Sequence, residues 1–413
     1  MKTIDEALAQ MLPAFTPRGA VRVGLHDALG LVLAERLDAR FDSPPFDNSA
    51  MDGYAVHASA LASANGEQPV VLPLVGESRA GGPPPTALTP GACMRIFTGA
   101  PMPAGAHTVV MQEDTARDGD VVSFRVAPEP GAHVRRQGSD VAKGAMLLAG
   151  STVLGPGELG LLASQGFAAV SVHRRPRVAI LSTGDELRDV SDPDRPGTIV
   201  NSNAYALAAQ VREAGGDPWI LPNVADVREV IAARVREALC ADVLVSCGGV
   251  SVGEYDFVNG ALADAGVVPS FWKVAMKPGK PLSFGVAPNG VPVVGLPGNP
   301  VSAMVTFEVF VRPGLRNMLG DPAPFRPTAA VTLAKEHRRS PGRLELARAT
   351  LRADGEHLVA ELHARQGSGS LSSIVGVDAY VLLPADRDHF EAGERITALV
   401  IAPGRGTARS PFT

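Results

Sequence analysis

Several residue types and patterns are scarce in this 413-residue chain, and each scarcity excludes a class of protein. The three cysteines, Cys93, Cys240 and Cys247, form no CxxC pair, so we expect neither a disulfide framework nor a structural zinc site. The nine histidines show no HxxxH or HExxH spacing, which argues against a zinc hydrolase. No apolar run approaches the roughly 18 residues that cross a bilayer. Because acidic residues occur where a signal peptide would be apolar, we expect a cytoplasmic protein.

A strong net charge is absent as well. The formal net charge is −5 and no basic tract occurs, so we expect neither a nucleic acid nor a membrane as partner. The 44 glycines and 35 prolines exceed ordinary usage but stay below the level of low-complexity chains. The composition therefore indicates a folded, loop-rich protein, long enough for two to four domains of roughly 100–150 residues.

Lysine is the scarcest charged residue: six lysines stand beside 32 arginines. Three of the six, Lys273, Lys277 and Lys280, lie between two glycine-containing loops at 248–253 and 296–300. A lysine ammonium is a compact point charge suited to phosphate and small oxyanions, whereas a guanidinium is a planar fork. The cluster predicts an anion-binding site between residues 246 and 301. The alternative is a solvated loop that retained lysine by chance.

The first 170 residues combine short helical patterns with a β-rich stretch. Helices are predicted at Ile4–Leu12, Val32–Leu37 and Gly155–Gln165, and the last of these indicates that the β-rich stretch is an insertion. The predicted strands are Val70–Val75, Met94–Phe97, Thr108–Met111 and Val121–Val126.

From Arg177 to about Gly320 strands and helices alternate, which predicts a mostly parallel, doubly wound α/β sheet. The predicted strands are Val178–Leu181, Trp219–Leu221, Val243–Ser246, Phe271–Ala275 and Val291–Leu296, and the predicted helices are Asn201–Ala214 and Asp226–Leu239. Ligands of such sheets bind at the carboxyl ends of the strands. The last 90 or so residues return to alternating β-patterns, typical of a small barrel or sandwich.

Two of the loops at predicted strand ends are rich in glycine. In Pro297-Gly298-Asn299-Pro300, Asn299 is predicted to cap a helix and Pro300 to occupy its first position, where backbone amides attract anions. The loop that begins with Gly248 and Gly249 has neither the GxGxxG nor the GK[ST] pattern. Ser251 in this loop is a candidate for binding a phosphate or a pterin edge.

Carboxylates follow the same strand ends. Asp185 and Glu186 come directly after a predicted strand and suit Mg²⁺, which prefers oxygen ligands, although a solvated acidic turn is an equal alternative. Glu254 and Asp256 can hold a metal or merely cap a helix. We also count Asp226 among the catalytic candidates.

Seven motifs together resemble one family. They are FDNSAMDGYAV (46–56), RIFTGAP (95–101), VVMQED (109–114), STGDEL (182–187), GGVSVGEYD (248–256), FWKVAMKPGKP (271–281) and GLPGNPVSA (295–303). In this order and spacing they are similar to the molybdopterin molybdenumtransferases, the MoeA family, which is related to the E domain of gephyrin. The resemblance runs from about Ile4 to Val400. One departure is Ser139, where relatives often carry an acid, and it puts a second carboxylate beside Asp140 in doubt.

The resemblance implies a fold and an assembly. The fold is an elongated four-domain chain with a β-rich inserted domain, a central doubly wound α/β domain similar to molybdopterin-binding proteins, and a C-terminal β-barrel or sandwich. The implied domains are 1–48 with 135–172, 49–134, 173–322 and 323–413. The implied assembly is a homodimer whose active cleft lies between the α/β domain of one subunit and the first two domains of its partner.

The resemblance also implies a reaction: molybdate is inserted into adenylylated molybdopterin, AMP is released, and Mg²⁺ or a similar cation assists. The implied catalytic residues are Asp52, Thr98, Glu186, Asp226, Asp256, Lys273 and Lys277. The implied substrate-binding residues are Gly248, Gly249, Ser251, Lys280, Pro297, Gly298, Asn299, Pro300 and Ser368. The implied metal ligands are Asp185, Glu186 and Asp256. A molybdopterin adenylyltransferase and molybdoenzyme-maturation proteins are expected partners.

Two other functions stay open from sequence. The first is the preceding adenylyl transfer, because the α/β domain is shared by both families. The extra domains before and after it argue against that function. The second is a gephyrin-like scaffold or binding protein. A scaffold would be expected to contain a long partner-binding linker, and the sequence shows none. The retained cleft motifs favour catalysis instead.

Overall fold

The computed structural model describes residues 1–248 and 257–402 of the chain. The chain forms two compact units, which we describe separately. The β-rich unit comprises residues 35–150 and 156–168, and the main unit comprises residues 1–34, 151–155 and 169 onward. Within the described ranges no helix combines the length and apolar character needed to cross a membrane.

The β-rich unit is built on a six-stranded sheet. Its strands, in spatial order, are Thr108–Met111, Gly53–Val56, Cys93–Ile96, Val70–Ser78, Val121–Phe124 and Thr115–Asp118. All four strands predicted for this stretch are confirmed, and Tyr54, Leu61 and Phe124 are among the buried side chains behind them. Smaller pairings join Leu37–Asp38 to Met146–Leu148 and Asn48–Ser49 to Val134–Arg135, and a helix spans Pro156–Ser164.

The helix predicted at Val32–Leu37 is wrong. Val32 and Leu33 are both fully buried in extended backbone, and they bridge to Val153 and Val172 within the main unit. Leu37 begins the short strand Leu37–Asp38 instead. A short apolar run does not distinguish a buried strand from a buried helix, so periodicity could not decide this segment.

The main unit contains the α/β domain, and its sheet is mostly parallel as predicted. The strands, in spatial order, are Asp217–Ile220, Arg177–Ser182, Val243–Cys247, Pro292–Leu296, Pro281–Val286 and Val268–Lys273. The first four are parallel, and the last two form antiparallel pairings. The helices are Ser202–Glu213, Arg228–Ala238, Phe257–Asp264, Pro300–Thr306 and Arg312–Met318, with a π-helical segment at Phe307–Val311 before the last.

Burial alternates along the strands of this sheet in the way a doubly wound fold requires. Val178 and Ile180 pack into one apolar cluster, whereas Ala179 and Leu181 pack into another. Successive side chains of a strand point to opposite faces, so both faces of the sheet are covered. The continuous apolar character of the central strands follows from this two-sided burial.

The first helix and a two-stranded ribbon complete the covering of the main unit. The helix Ile4–Met11 begins with a capping box, in which Thr3 and Glu6 exchange backbone and side-chain hydrogen bonds. Ala7 and Met11 place its apolar side in the same cluster as Val178. The ribbon pairs Ala20–Gly24 with Ala169–His173 in antiparallel register.

The C-terminal part of the main unit is a closed five-stranded barrel. Around the ring the strands are Leu344–Asp354, His357–Leu362, Thr328–Leu333, Arg395–Val400 and Ala379–Leu383, and the first and last of these also pair with each other. Closure decides between the barrel and the sandwich that the sequence left open. Met276–Lys277 extends this sheet by pairing in parallel with Leu344 and Glu345, which joins the lysine-rich segment to the barrel.

Candidate active site

A cavity of about 460 Å³ lies at the carboxyl ends of the parallel strands of the main unit. Three strands contribute, and they end at Ser182, Cys247 and Leu296. The lining residues are Ser182, Thr183, Glu186, Leu187, Ile199, Val200, Asn201, Ser202, Asn203, Cys247, Gly248, Gly298, Asn299 and Pro300. Five candidate residues from the sequence are thus brought together: Glu186, Gly248, Gly298, Asn299 and Pro300.

The two glycine loops approach each other closely at this cavity. A Cβ added to Gly298 would lie 3.8 Å from the Gly248 Cα, and Gly248 has a φ of +91°. Glycine adopts such a φ without strain and other residues rarely do, so this backbone conformation requires glycine at position 248. The Gly248 amide donates to the Leu296 carbonyl at 3.2 Å, which ties the two loops together.

Asn203 fixes the wall of the cavity, and sequence reasoning did not single it out. Its side-chain amide donates to the Gly298 carbonyl at 2.7 Å and to the Cys247 Sγ at 3.1 Å. Cys247 is buried, and burial raises the pKa of its thiol to about 12, so it is protonated at neutral pH. Asn203 follows the cap of its helix, Asn201, whose side chain accepts from the Ala204 amide.

The helix start at Asn299 differs from the prediction in one respect. Pro300 occupies the first helical position as predicted, but the Asn299 side chain makes no capping bond. Its amide instead donates to the Ser368 Oγ at 3.2 Å, while the Ser368 carbonyl accepts from the Val301 amide at 3.1 Å. The loop 367–370 therefore supplies the acceptor that the Asn299 side chain was expected to supply, and Ser368 is placed beside the cavity.

Three of the predicted carboxylates interact electrostatically. The Asp226 amide donates to the Asp185 Oδ1 at 3.1 Å. Partial burial, together with the negative charges of Asp185 and Glu186, raises the pKa of the Asp226 carboxyl. Gly184 has a φ of +145°, which favours glycine there, and the Glu186 carboxylate folds back over it into the space that a Cβ would occupy.

The metal ligands remain a prediction. Among residues 1–248 and 257–402, no group of three histidine, cysteine or carboxylate side chains is arranged to hold a metal ion. Gly249, Ser251, Glu254 and Asp256 lie outside the described residues.

Lys273 and Lys280 lie at the same edge of the sheet as the cavity, and Lys277 lies in the segment between them that pairs with the barrel, but none of the three is in the described lining of the cavity. Lys273 ends its strand opposite Pro281, and Ser283 is opposite Gly295, so both strands reach the edge where Leu296 ends. One strand separates Lys273 from the strand Pro292–Leu296, which corresponds to about 10 Å. Lys273 and Lys280 are exposed.

Lys277 has a partner that the sequence did not reveal. Its Nζ lies 3.2 Å from the carboxylate of Glu345, which is buried at the start of a barrel strand. The Arg339 Nε lies 3.7 Å from the same carboxylate, and the Arg339 side chain is also buried. Lys277 is therefore held between the edge of the sheet and the barrel, with 43% of its side chain exposed.

In the β-rich unit, Asp52 and Thr98 form a fixed pair. Both the amide and the hydroxyl of Thr98 donate to the Asp52 Oδ1 at 2.8 Å. These hydrogen bonds, the backbone one first, hold the pKa of the Asp52 carboxyl below its usual range. A Cβ added at Gly53 would overlap the Val110 carbonyl group, which explains glycine after Asp52.

Two further motif residues support this pair. The Arg95 guanidinium donates to the Gly53 carbonyl at 3.3 Å and to the Gln112 Oε1 at 2.6 Å. The backbone amide of Gln112 donates to the backbone carbonyl of Asp52 at 3.1 Å. Both residues lie in motifs that carry the family resemblance, RIFTGAP and VVMQED, but the sequence did not predict that they support Asp52.

Three family models match successive parts of the chain. The MoeA N-terminal region (domain I and II) matches residues 2–166, the probable molybdopterin binding domain matches 179–317, and the MoeA C-terminal region (domain IV) matches 330–401. A molybdopterin molybdenumtransferase of Nostoc sp. is 39% identical over 91% of this chain and 88% of its own length. The chain belongs to the MoeA family. The relative in Haemophilus influenzae with the same name is 36% identical over 96% of this chain and 98% of its own.

The MoeA fold is shared as well. A molybdopterin biosynthesis MoeA protein of Pyrococcus horikoshii has a solved structure that superimposes with a TM-score of 0.82 at 30% identity. The match covers 96% of this chain and 98% of that one. The multi-domain fold, with its α/β domain and C-terminal barrel, is thereby confirmed.

Proposed function

We propose that this protein inserts molybdate into adenylylated molybdopterin and releases AMP, which gives the molybdenum cofactor. The observation that carries the proposal is the match to relatives named molybdopterin molybdenumtransferase over almost the whole chain, in a structure where residues of three of the seven motifs line one cavity. The test is whether the release of AMP requires molybdate, and the Discussion gives its design.

The charges near the cavity suit two anionic substrates. Molybdate is a dianion and the adenylylated pterin carries a pyrophosphate, so Lys273, Lys277 and Lys280 offset negative charge at the edge where the cavity opens. The backbone of Gly248 and Gly298, held by Asn203, shapes the wall against which the pterin binds. Pro297, Pro300 and Ser368 bound the same region.

We propose Mg²⁺ as the assisting cation, near Asp185 and Glu186, with Asp226 or Asp256 nearby. The residue types fit, because Mg²⁺ prefers carboxylate oxygens, and partial burial together with the negative charges of Asp185 and Glu186 raises the pKa of the Asp226 carboxyl. A bound cation would supply Lewis acidity toward the phosphoanhydride bond that releases AMP. The residues themselves position the cation and the anhydride.

Magnesium is expected to stabilise the protein at neutral pH and not in acid. The pKa of folded Asp226 is raised, so its ionised form costs stability once the pH exceeds the ordinary aspartate pKa of about 4. A cation offsets that cost at pH 7, whereas well below pH 4 the Asp226 carboxyl is protonated in both the folded and the unfolded state and the cost disappears. Thermal unfolding with and without Mg²⁺ at both pH values measures the effect.

Glu186→Gln should raise the Mg²⁺ concentration for half-maximal stabilisation at least about tenfold, as losses around metal ligands commonly do. AMP release should fall, and added Mg²⁺ should partly restore it. Glu229→Gln is the control. Glu229 lies close to Asp226 in sequence, but the carboxylates that raise the pKa of Asp226 are Asp185 and Glu186. An unchanged Mg²⁺ dependence in Glu186→Gln would remove this residue from the site.

We also propose a homodimer whose active sites combine residues of both subunits. The support is that the motif residues fall in two separate units, Asp52 and Thr98 in one and Glu186 and Lys277 in the other. Mixing equal amounts of Asp52→Ala and Lys277→Ala subunits should restore about a quarter of wild-type activity, because half of the dimers gain one intact site.

Mixing Asp52→Ala with Thr98→Ala is the control for this experiment. Those residues come from one unit, so every site in the mixed dimer keeps one defect and no rescue is expected. Subunit exchange is followed by native mass spectrometry of differently tagged chains. Complete exchange without rescue of the first pair would argue against composite sites.

We also propose that the protein is cytoplasmic. Its three cysteines, Cys93, Cys240 and Cys247, are free thiols, which fits a reducing compartment. A molybdopterin adenylyltransferase is the partner that would supply the substrate, and molybdoenzyme-maturation proteins would accept the product.

Adenylyl transfer by this protein itself would form adenylylated molybdopterin from molybdopterin and Mg-ATP. Measuring that product is a direct assay for this alternative function. A scaffold function would not depend on the cleft, so a cleft-inactive variant such as Lys277→Ala would keep its binding of protein partners.

A further inference from the structure

A second cavity of the main unit is lined by arginines and lies away from the candidate active site. Its volume is about 540 Å³, within the usual range for small-molecule sites. The lining residues are Val21, Val23, Leu31, Val172, His173, Arg174, Arg175, Arg177, Arg212, Gly216, Asp217 and Pro218. The strands Arg177–Ser182 and Asp217–Ile220 begin here, so the cavity lies at the opposite edge of the sheet from the carboxyl ends.

One of the four arginines has a structural role. The Arg174 guanidinium donates two hydrogen bonds to Asp242, at 2.8 and 2.7 Å. Asp242 also accepts from the Arg177 amide at 2.7 Å, and these contacts hold its pKa below the usual range against the effect of burial. This pair fixes the chain between the ribbon and the sheet, and its charges cancel.

The other three guanidinium groups have no carboxylate partner among the described residues. The Arg175 guanidinium donates to the Gly215 carbonyl at 3.4 Å, and the Arg177 guanidinium stacks 4.2 Å above the Trp219 ring. Arg212 lies in the last turn of the helix Ser202–Glu213 and its side chain is exposed. The described lining thus holds these three guanidinium groups and one carboxylate, Asp217, which lies opposite Arg177 in the strand register, so positive charge is in excess.

The opposite wall of the cavity is apolar. Val21 and Val23 from the two-stranded ribbon, together with Pro218, form its accessible part, and the buried Val172 and Leu31 lie behind them. Val21 is 38% exposed although it lies in a strand. An inorganic ion would use the arginines alone, whereas a ligand with a carbon skeleton would also cover this wall.

We propose that this cavity binds an organic phosphate, with the phosphoryl group on Arg175, Arg177 and Arg212 and the carbon skeleton on the valine wall. Guanidinium groups match phosphate oxygens in a bidentate geometry, which suits a site built from arginine in a protein whose active-site cations are lysines. The concave shape and the apolar wall favour a small molecule over an acidic peptide, which would need an extended surface.

Trp219 provides a local signal for the test. The chain has two tryptophans and four tyrosines, so in Trp272→Phe, with excitation selective for tryptophan, the emission comes from Trp219, which stacks with Arg177. Titration with phenyl phosphate should produce a saturable change in Trp219 emission whose affinity falls with added salt. Phenol should produce none, and inorganic phosphate should bind at least about tenfold more weakly because it leaves the apolar wall exposed. Calorimetry on the wild-type protein provides an independent measurement.

The decisive variants are Arg212→Gln and Arg236→Gln. Arg236 is the matched control, because it is also exposed in the last turn of a helix but lines no part of this cavity. Arg212→Gln should weaken phenyl phosphate binding by about tenfold or more, the loss expected for a charge-assisted hydrogen bond, and Arg236→Gln should not. Arg212→Lys keeps the charge but loses the planar guanidinium fork, so its affinity for phenyl phosphate should lie between those of the wild type and Arg212→Gln. This variant replaces Arg212→Gln in the test if Arg212→Gln does not fold.

Three results would overturn the proposal. No saturable signal, or equal affinities in Arg212→Gln and the wild type, would remove the site. Equal binding of inorganic phosphate and phenyl phosphate would mean an adventitious ion only. Arg212-dependent binding of a hexaglutamate peptide without binding of phenyl phosphate would assign the surface to an acidic protein partner.

Discussion

Lys277→Arg is expected to fold normally and to lose molybdate-dependent turnover by about 100-fold, the scale of loss for an ångström of misplacement at a reacting centre. The Lys277 Nζ lies 3.2 Å from the buried Glu345 carboxylate, so the position requires a cation. An arginine would keep that ion pair, and its planar fork can bind both carboxylate oxygens. Its donors would then point at Glu345 rather than at the substrate anion.

Lys335→Arg is the control for this variant. Lys335 pairs with Glu361 at 2.9 Å on the barrel surface and is 80% exposed, so the exchange should be nearly neutral. Steady-state turnover as a function of molybdate concentration measures both variants, and Lys277→Arg should also require more molybdate. If Lys273→Arg and Lys277→Arg both kept wild-type turnover at low molybdate, lysine would have no special role here.

Glu308→Ala is expected to destabilise the protein by about 3–5 kcal/mol, the usual cost of leaving buried charge unpaired. Glu308 lies in the π-helical segment Phe307–Val311, and its carboxylate accepts from the Arg326 Nε at 2.6 Å and contacts Arg312 at 3.4 Å. Burial, followed by the nearby charge of Arg326, lowers the pKa of Arg312. Without Glu308, both guanidinium groups would lose their buried counter-charge.

Glu213→Ala provides the matched comparison, because Glu213 binds the same Arg326 but is 55% exposed. An exposed partner contributes about 1 kcal/mol or less, so this variant should unfold close to the wild type. Urea unfolding of both variants gives the two free energies. Equal losses would show that the burial of Glu308 does not determine its contribution.

Much of the fold was predictable because apolar runs are separated by glycine and proline. The strand Thr108–Met111 and the central strand Val243–Cys247 follow directly from such runs. The strand Pro281–Val286 was not predicted, because it contains a proline and a glycine, which are uncommon in strands. Its pairing with Pro292–Leu296 forms only in the tertiary structure. The segment Val32–Leu37 failed for a related reason, since its bridging partners lie more than 100 residues away in Val172 and Val153.

The candidate site was predictable in its residues more than in their contacts. Loops at strand ends can be found from sequence because a parallel sheet directs them to one edge. Contacts between distant segments cannot be found in this way. Glu345 is 68 residues from Lys277, and Ser368 is 69 residues from Asn299, so neither partner was visible before the barrel was placed.

The molybdate dependence of AMP release tests the central claim most directly. Purified protein is mixed with adenylylated molybdopterin and Mg²⁺, and AMP is quantified with and without molybdate. The account predicts rapid AMP release only when molybdate is present, together with formation of the molybdenum cofactor. AMP release at the same rate without molybdate, or no release with it, would contradict the proposed function.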